Sequence, residues 1–356
     1  MMESSFFTSL IGFFIVLTPL IFIHELGHYF AAIRSGVKVE SFSIGFGPEL
    51  FGFTDKKSTR WKFSLIPLGG YVKMKGELVN VSKTNENSTM DNGTFLEANL
   101  SSRFFIVLSG PLANLILGLF LITSLYVFNG RYITPPIINE VIDTKPAMQG
   151  GMLSGDRVIS INKQKIKDFL DIKKIVENNP NKALSFQILR NDTLISTTII
   201  PSEFYDKRLK KIYGRIGITA FQPELKTLSI LPAIKFGFLD SMNITFEWLK
   251  GLKALFFFEI DKKDVLGPIG IAKISGSSLD RGLSSITFLM ALLSINLGLI
   301  NLLPIPALDG GYILLFTHEL IFKKPLSSKI QLFLLKFGFL FIISLMLLVT
   351  AFDLGL

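Results

Sequence analysis

Residues 17–36 read LTPLIFIHELGHYFAAIRSG, and three of them can do chemistry: His24, Glu25 and His28. In an α-helix, positions i and i+4 lie about 40° apart around the axis, so the two imidazoles project side by side and can share one divalent ion. Glu25, beside the first histidine, is placed to reach a metal-bound water rather than the metal. This is the H-E-x-x-H pattern of zinc peptidases. A catalytic Zn²⁺ takes three protein ligands and keeps one position open. The chain has no cysteine, so the third ligand is an acid or the remaining histidine. Two positions compete. Asp309 follows two prolines and precedes two glycines in LLPIPALDGG (302–311). His318 lies in a second His-Glu pair, THEL, but the residue four further on is Phe322, so no second paired site forms. Asp309 is the preferred ligand.

The elements that must position these groups are membrane spans. Hydrophobic residues make up 49% of the 356. Four stretches, 6–33, 104–128, 283–308 and 330–352, approach or exceed the roughly 20 mostly apolar residues that cross a bilayer. An ionisable group in hydrocarbon costs a few kcal/mol, so a cluster of three inside a span points to function rather than chance. The start, MMESSFFTSLIGFF, has no Lys or Arg before its apolar run, which reads as an uncleaved first span. Lys+Arg number 37 against Asp+Glu 28, a net charge of +9. The surplus lies in polar loops beside the spans, where anionic headgroups account for it and nucleic acid is not needed. The loops 34–103 and 309–329 carry ten and three Lys/Arg, and the tails 1–5 and 353–356 carry none. The positive-inside rule then expects both loops in the cytoplasm and both termini outside.

The intervening segments read as follows. Residues 37–103 form a cytoplasmic β-loop region and linker, with β-ribbon expected over VESFSIGFGPELFGF (39–53) and RWKFSLIPLGGYVKMKG (60–76). The polar, Asn-rich stretch 79–94 is expected to be mobile. In 129–202, IINEVI, RVISIN, LSFQIL and TLISTTII predict short strands, and DFLDIKKIVENNP predicts a helix stopped by Asn-Pro. Residues 203–282 form a further extracytoplasmic segment, whose stretch 228–258 is apolar but interrupted by Pro232, Lys235, Asp240 and Glu247. It predicts an amphipathic helix on the membrane surface; as a fifth span it would put the termini on opposite sides. Segment 1–36 holds the first span and HELGH, 104–128 the second, 283–308 the third, 309–329 a cytoplasmic loop and 330–352 the fourth. The fold class is a polytopic α-helical membrane protein with a cytoplasmic membrane-associated β-hairpin region and one extracytoplasmic α/β domain. Ser109-Gly110-Pro111, Asn114 and Asn301 read either as small or polar residues for helix packing or as substrate contacts.

Taken together, these stretches resemble the site-2 proteases, in particular the bacterial regulator of sigma E protease type. HELGH (24–28) is similar to the family's H-E-x-G-H motif, SGPLAN (109–114) to its G-P-x-x-N signature and NLLPIPALDGG (301–311) to its N-x-x-P-x-P-x-L-D-G motif. FSIGFGP and PLGGYVKM resemble its cytoplasmic β-loops beside the active site, and GGMLSGDRVISIN (150–162) resembles the turn and strand of a PDZ domain. The resemblance implies zinc on His24, His28 and Asp309, Glu25 as general base and acid, and Asn301 as a substrate contact; Asn114, Gly69 and Gly70 are further candidate substrate contacts. It implies an intramembrane protease of the bacterial inner membrane, with its active site near the cytoplasmic side. Its substrates would be single-pass membrane proteins, such as a pre-cleaved anti-sigma factor, or remnant signal peptides. The lipid bilayer surrounds it, and the PDZ domain would meet the substrate's outer region. The segment has room for one PDZ domain where some relatives carry two. Two rival classes are a catalytically silent scaffold, which requires an incomplete site, and a metal transporter, which requires coordinating residues along a path rather than at one end.

Overall fold

The computed structural model describes residues 5–76, 93–206, 211–257 and 265–355. Most of the polar stretch 79–94 lies outside the described residues. The chain divides into two compact units, Met1–Val127 with Ser229–Leu356, and Phe128–Leu228. In the first unit, helix α1 (Phe6–Arg34) opens where Ser5 Oγ accepts the Thr8 N–H. Strands β1 (Val39–Thr54) and β2 (Arg60–Met74) then form one antiparallel ribbon. Its turn is organised by Asp55, whose carboxylate accepts from the Lys57 and Thr59 backbone N–H groups at 2.8 and 3.0 Å. The same carboxylate accepts from Trp61 Nε1 at 2.9 Å and from the Tyr29 hydroxyl at 3.0 Å, tying the ribbon to α1. Phe42 stacks on Trp61 with ring centres 4.3 Å apart. Around that pair, Tyr29, Val39, Ile44, Val72, Ile106 and Phe316 form a shared core. Helix α2 (Leu100–Phe128) follows and carries Pro111 inside it.

The second unit holds β3 (Arg131–Ile133), β4 (Ile138–Val141), α3 (Pro146–Gln149), β5 (Arg157–Ile161), β6 (Gln164–Lys165), α4 (Phe169–Glu177), β7 (Leu184–Arg190), β8 (Thr193–Ile199), β9 (Ser202–Asp206), β10 (Lys211–Arg215), β11 (Ile218–Ala220) and β12 (Glu224–Lys226). Its main sheet is antiparallel in the order β6-β5-β7-β8, with separate pairs β4–β11, β3–β12 and β9–β10. The alternation in LSFQIL is realised: Leu184, Phe186 and Ile188 are buried, while Ser185 and Gln187 are exposed. Burial of each such large side chain contributes about 1.5–3 kcal/mol. Helix α4 lays Ile172 and Val176 on this core and is capped reciprocally by Asp168 and Asp171. Asp156, fully buried, accepts from Arg190 at 2.7 and 2.8 Å and from the Leu153 N–H.

The chain returns to the first unit through α5 (Ile230–Phe256), α6 (Pro268–Asp280), α7 (Leu283–Asn301), α8 (Asp309–Phe322) and α9 (Ser328–Asp353). Helices α1, α2, α7 and α9 are long and apolar enough to cross a membrane; α5 is not among them. Three sequence expectations change here. The third apolar stretch is not helical throughout: α7 stops at Asn301, because Pro304 and Pro306 lack the N–H groups a continuing helix needs. The segment read as a loop from 309 contains α8, which Asp309 opens, its carboxylate matching the positive end of the helix dipole. Residues 203–282 hold four strands and helix α6 besides the amphipathic helix. The N-terminus of α6 is capped from afar by Asp353, which accepts from the Gly267 and Gly270 N–H groups at 3.0 and 2.9 Å. That partner, more than 80 residues away, gives no local signal.

Candidate metal centre

Helix α1 places His24 and His28 one turn apart, both buried, with ring centres 4.8 Å apart. The loop after α7 brings Asp309 to them across 281 positions. His24 Nε2 lies 3.1 Å from Asp309 Oδ2, His28 Nε2 lies 3.5 Å from Asp309 Oδ1, and the two Nε2 atoms are 3.2 Å apart. Tetrahedral zinc with bonds of about 2.0–2.1 Å sets its ligand atoms about 3.3–3.4 Å apart. The three measured edges straddle that value.

The outer ring nitrogens fix what faces inward. His28 Nδ1 lies 2.9 Å from the Ile106 carbonyl, which can only accept, so Nδ1 carries the proton and Nε2 presents a lone pair. His24 Nδ1 meets the amide of Asn114 at 3.3 Å, and Asn114 Oδ1 has no donor among the described residues. With that amide turned by half a rotation, Oδ1 accepts from Nδ1–H, both groups are satisfied, and the His24 Nε2 lone pair also points inward. Asp309 Oδ2 is buried and likewise has no hydrogen-bond donor among the described residues. In that tautomer of both rings, three lone-pair donors converge. Such an arrangement repels itself unless a cation fills it. The residues fit zinc.

The second helix is cut to this shape. Gly110 is buried against His28, and a Cβ there would collide with the imidazole ring. A Cβ on Gly27 would likewise overlap the Ser109 carbonyl, so the small residues of HELGH and SGPLAN let α1 and α2 cross closely. On the far side of α2, Ser294 Oγ of α7 donates to the Asn114 carbonyl at 2.7 Å. Asn114 is fully buried and stands behind His24 rather than facing the cavity, so its position is that of a His24 support.

Glu25, Asn301, Gly69 and Gly70 line a cavity of about 650 Å³ together with His24, His28 and Asp309. Its walls come from α1 (Ile21), β2 (Tyr71, Val72), α7 (Leu297) and α9 (Ile342, Met346). Gly70 lets β2 approach the helix: a Cβ would sit 2.8 Å from the Ser43 carbonyl and 3.1 Å from Glu25 Cγ. Gly69 has φ +114°, a conformation that disfavours side chains. His318 stays apart from the cluster, with its ring 4.5 Å from that of Phe322. Its neighbour Glu319 receives Arg103 of α2 through two hydrogen bonds of 3.1 and 2.6 Å, fixing α8 against α2. The Ile106 carbonyl was not legible as a site group, since a backbone acceptor has no residue-type signature.

Comparison with known proteins agrees with this chemistry. Residues 12–345 match the profile of Peptidase family M50. A Rickettsia conorii chain named "Putative zinc metalloprotease" is 37% identical, over 97% of this chain and 98% of its own length. An Enterococcus faecalis chain named "Probable protease eep" is 32% identical, over 96% of this chain and 97% of its own. Among solved structures, the PDZ domain of an SdrC-like protein from Listeria innocua is similar over 26% of this chain and 99% of that one, at 16% identity and a TM-score of 0.22. The profile covers nearly the whole sequence, and the chain therefore belongs to Peptidase family M50, the site-2 protease family, whose members depend on zinc.

Proposed function

We propose that this chain is an intramembrane protease that hydrolyses a peptide bond within or beside the transmembrane segment of single-pass membrane proteins. One observation carries the reading: the His24–His28–Asp309 cluster and Glu25 open onto a cavity to which all four helices apolar enough to span a bilayer contribute, through Ile21, Val107, Leu297 and Ile342. His24, His28 and Asp309 would hold the zinc, which would supply Lewis acidity toward a scissile carbonyl and a water molecule. Glu25 removes the water's proton and returns it to the leaving amine. The Ile106 carbonyl and Asn114 hold the two imidazoles in the tautomer that binds metal. Hydrolysis at that depth needs water, and a protein-lined cavity admits it where lipid would not.

A substrate helix hides its peptide bonds behind its own hydrogen bonds, so it must unwind locally. The β1–β2 ribbon, whose strand β2 borders the cavity, can hold an unwound segment extended by strand addition. Helix-breaking residues in a substrate then speed cleavage. Phe51, Phe53, Leu65 and Ile66 are exposed on the ribbon, which suits a membrane-associated hairpin. The second unit acts as a PDZ-like domain on the extracytoplasmic face and meets the substrate's outer region, with both termini on that face. The setting is the bacterial inner membrane, the active site lies towards the cytoplasm, and the substrates include pre-cleaved anti-sigma factors or remnant signal peptides.

Glu25→Gln tests this. Wild type and variant are co-expressed with a tagged library of single-span proteins, and zinc content is measured on both. The expected variant keeps zinc while its substrates accumulate uncut. Cleavage at the wild-type rate would remove Glu25 from the mechanism, and a library cut nowhere by wild type would count against the substrate class.

A further inference from the structure

A second cavity, of about 250 Å³, lies in the first unit where α2 and α9 begin. Its polar wall is made by Arg103, Glu319 and Gln331. Arg103 gives both terminal nitrogens to Glu319 and sets its guanidinium over the Phe316 ring, 5.2 Å from the centre. Gln331, only 8% exposed, donates Nε2–H to the Leu326 carbonyl at 2.6 Å, which fixes the direction of its amide. Two buried atoms of opposite sense then have no partner among the described residues: the donor Arg103 Nε and the acceptor Gln331 Oε1. Buried polar groups are nearly always paired, so a pair of orphans lining one cavity calls for an occupant offering an acceptor and a donor together.

The surroundings say which occupant. Helices α2 and α9 are candidate spans and their first turns meet the cavity, so it lies at the depth of lipid headgroups rather than of acyl chains. The N-cap Ser327 makes no side-chain hydrogen bond to the first turn of α9, and no other side chain among the described residues is seen to cap it, which leaves its leading N–H groups for an anion. Lys323, Lys324 and Lys329 flank the cavity residues Pro325, Leu326 and Gln331 in sequence and are exposed. They add positive charge beyond the balanced Arg103–Glu319 pair. Basic pockets between membrane helices recognise anionic headgroups, and Leu96, Leu315 and Leu326 offer apolar surface to the first methylenes. We propose that this cavity binds an anionic glycerophospholipid whose headgroup carries a hydroxyl. A phosphate or ester oxygen accepts from Arg103 Nε, the phosphate faces the first turn of α9 and the lysines, and the hydroxyl donates to Gln331 Oε1.

The site is independent of the proteolytic reading, and its test needs no cleavage. The full chain is delipidated in detergent, then titrated with phosphatidylglycerol, phosphatidylcholine or inorganic phosphate, reading thermal stability and native mass spectra. Phosphatidylglycerol is expected to bind one per chain, at least tenfold tighter than phosphatidylcholine, which has no donor. Gln331→Leu and the triple change Lys323→Ala, Lys324→Ala, Lys329→Ala each reduce that preference about tenfold; the lysines are exposed, so the triple variant folds. Equal binding of the two lipids, full preference in both variants, or equal stabilisation by inorganic phosphate overturns the proposal.

Discussion

Replacing Asn114 by leucine removes the amide that sets which nitrogen of His24 faces Asp309. Leucine has the same number of side-chain heavy atoms as asparagine, and the site is fully buried, so the change removes the amide without opening a cavity. What is lost is the 3.3 Å contact to His24 Nδ1. Without it the imidazole can protonate at Nε2, only 3.1 Å from Asp309 Oδ2, and that tautomer donates to the Asp309 carboxylate where a lone pair should face a metal ion. Removing a group that orients a metal ligand typically weakens metal binding 10–100-fold, about 1.4–2.8 kcal/mol. The Ser294 bond goes to the Asn114 backbone carbonyl and survives the change, so α2 and α7 stay joined. Zinc dissociation constants from competition with a chromophoric chelator give the answer, with Asn301→Ala as control. Asn301 lines the cavity but is hydrogen-bonded to neither histidine among the described residues, and its variant keeps wild-type affinity. Wild-type affinity in Asn114→Leu, or an equal loss in Asn301→Ala, would refute the tautomer argument.

The remaining expectations concern the third ligand, the helix crossing and the ribbon. Asp309→Ala should lose stoichiometric zinc while His318→Ala retains it, as metal analysis of the purified variants would show; the reverse result would reassign the ligand. Gly110→Ala pushes a methyl group into the His28 ring, and overpacking of this kind costs about 1–3 kcal/mol, so both melting temperature and zinc content should fall. At Asp55, burial raises the carboxyl pKa, but the Trp61, Thr59, Lys57 and Tyr29 donors together outweigh it and leave the pKa below the ordinary carboxylate range. A lowered folded pKa stabilises above the unfolded value of about 3.9, and that contribution disappears as pH falls through the folded one. Proteolytic susceptibility of the ribbon in detergent should therefore rise below about pH 4 in wild type. Asp55→Asn should be susceptible already at pH 7, and identical pH profiles would count against the Asp55 clamp.

The ribbon and the second unit were legible because strands declare themselves by alternation and by turn residues. LSFQIL and TLISTTII pair as β7 and β8 in full register. Helix α8 was hidden because an Asp-Gly-Gly sequence after two prolines carries the marks of a loop, and only packing against α2 through Arg103 and Glu319 shows where the helix resumes. Helix α6 was hidden for a similar reason. It has Pro268, two glycines and three serines within its thirteen residues, a poor intrinsic helix former that a remote aspartate caps.

The chemistry of the centre was set by residue type and spacing alone. Two histidines at i and i+4 on an apolar helix, the glutamate between them and the lack of cysteine leave little besides zinc for that pair to hold, since the local helix geometry fixes how the rings project. The third corner could not be settled that way. The sequence preferred Asp309 to His318, but only the fold of the loop after α7 carries that carboxylate to within 3.5 Å of the imidazoles while leaving the other candidate against Phe322. Tautomer and support were decided at the same level. The Ile106 carbonyl and the Asn114 amide act through space on rings some 80 to 90 positions earlier, and contact at that separation is a property of packing, which no window of sequence contains.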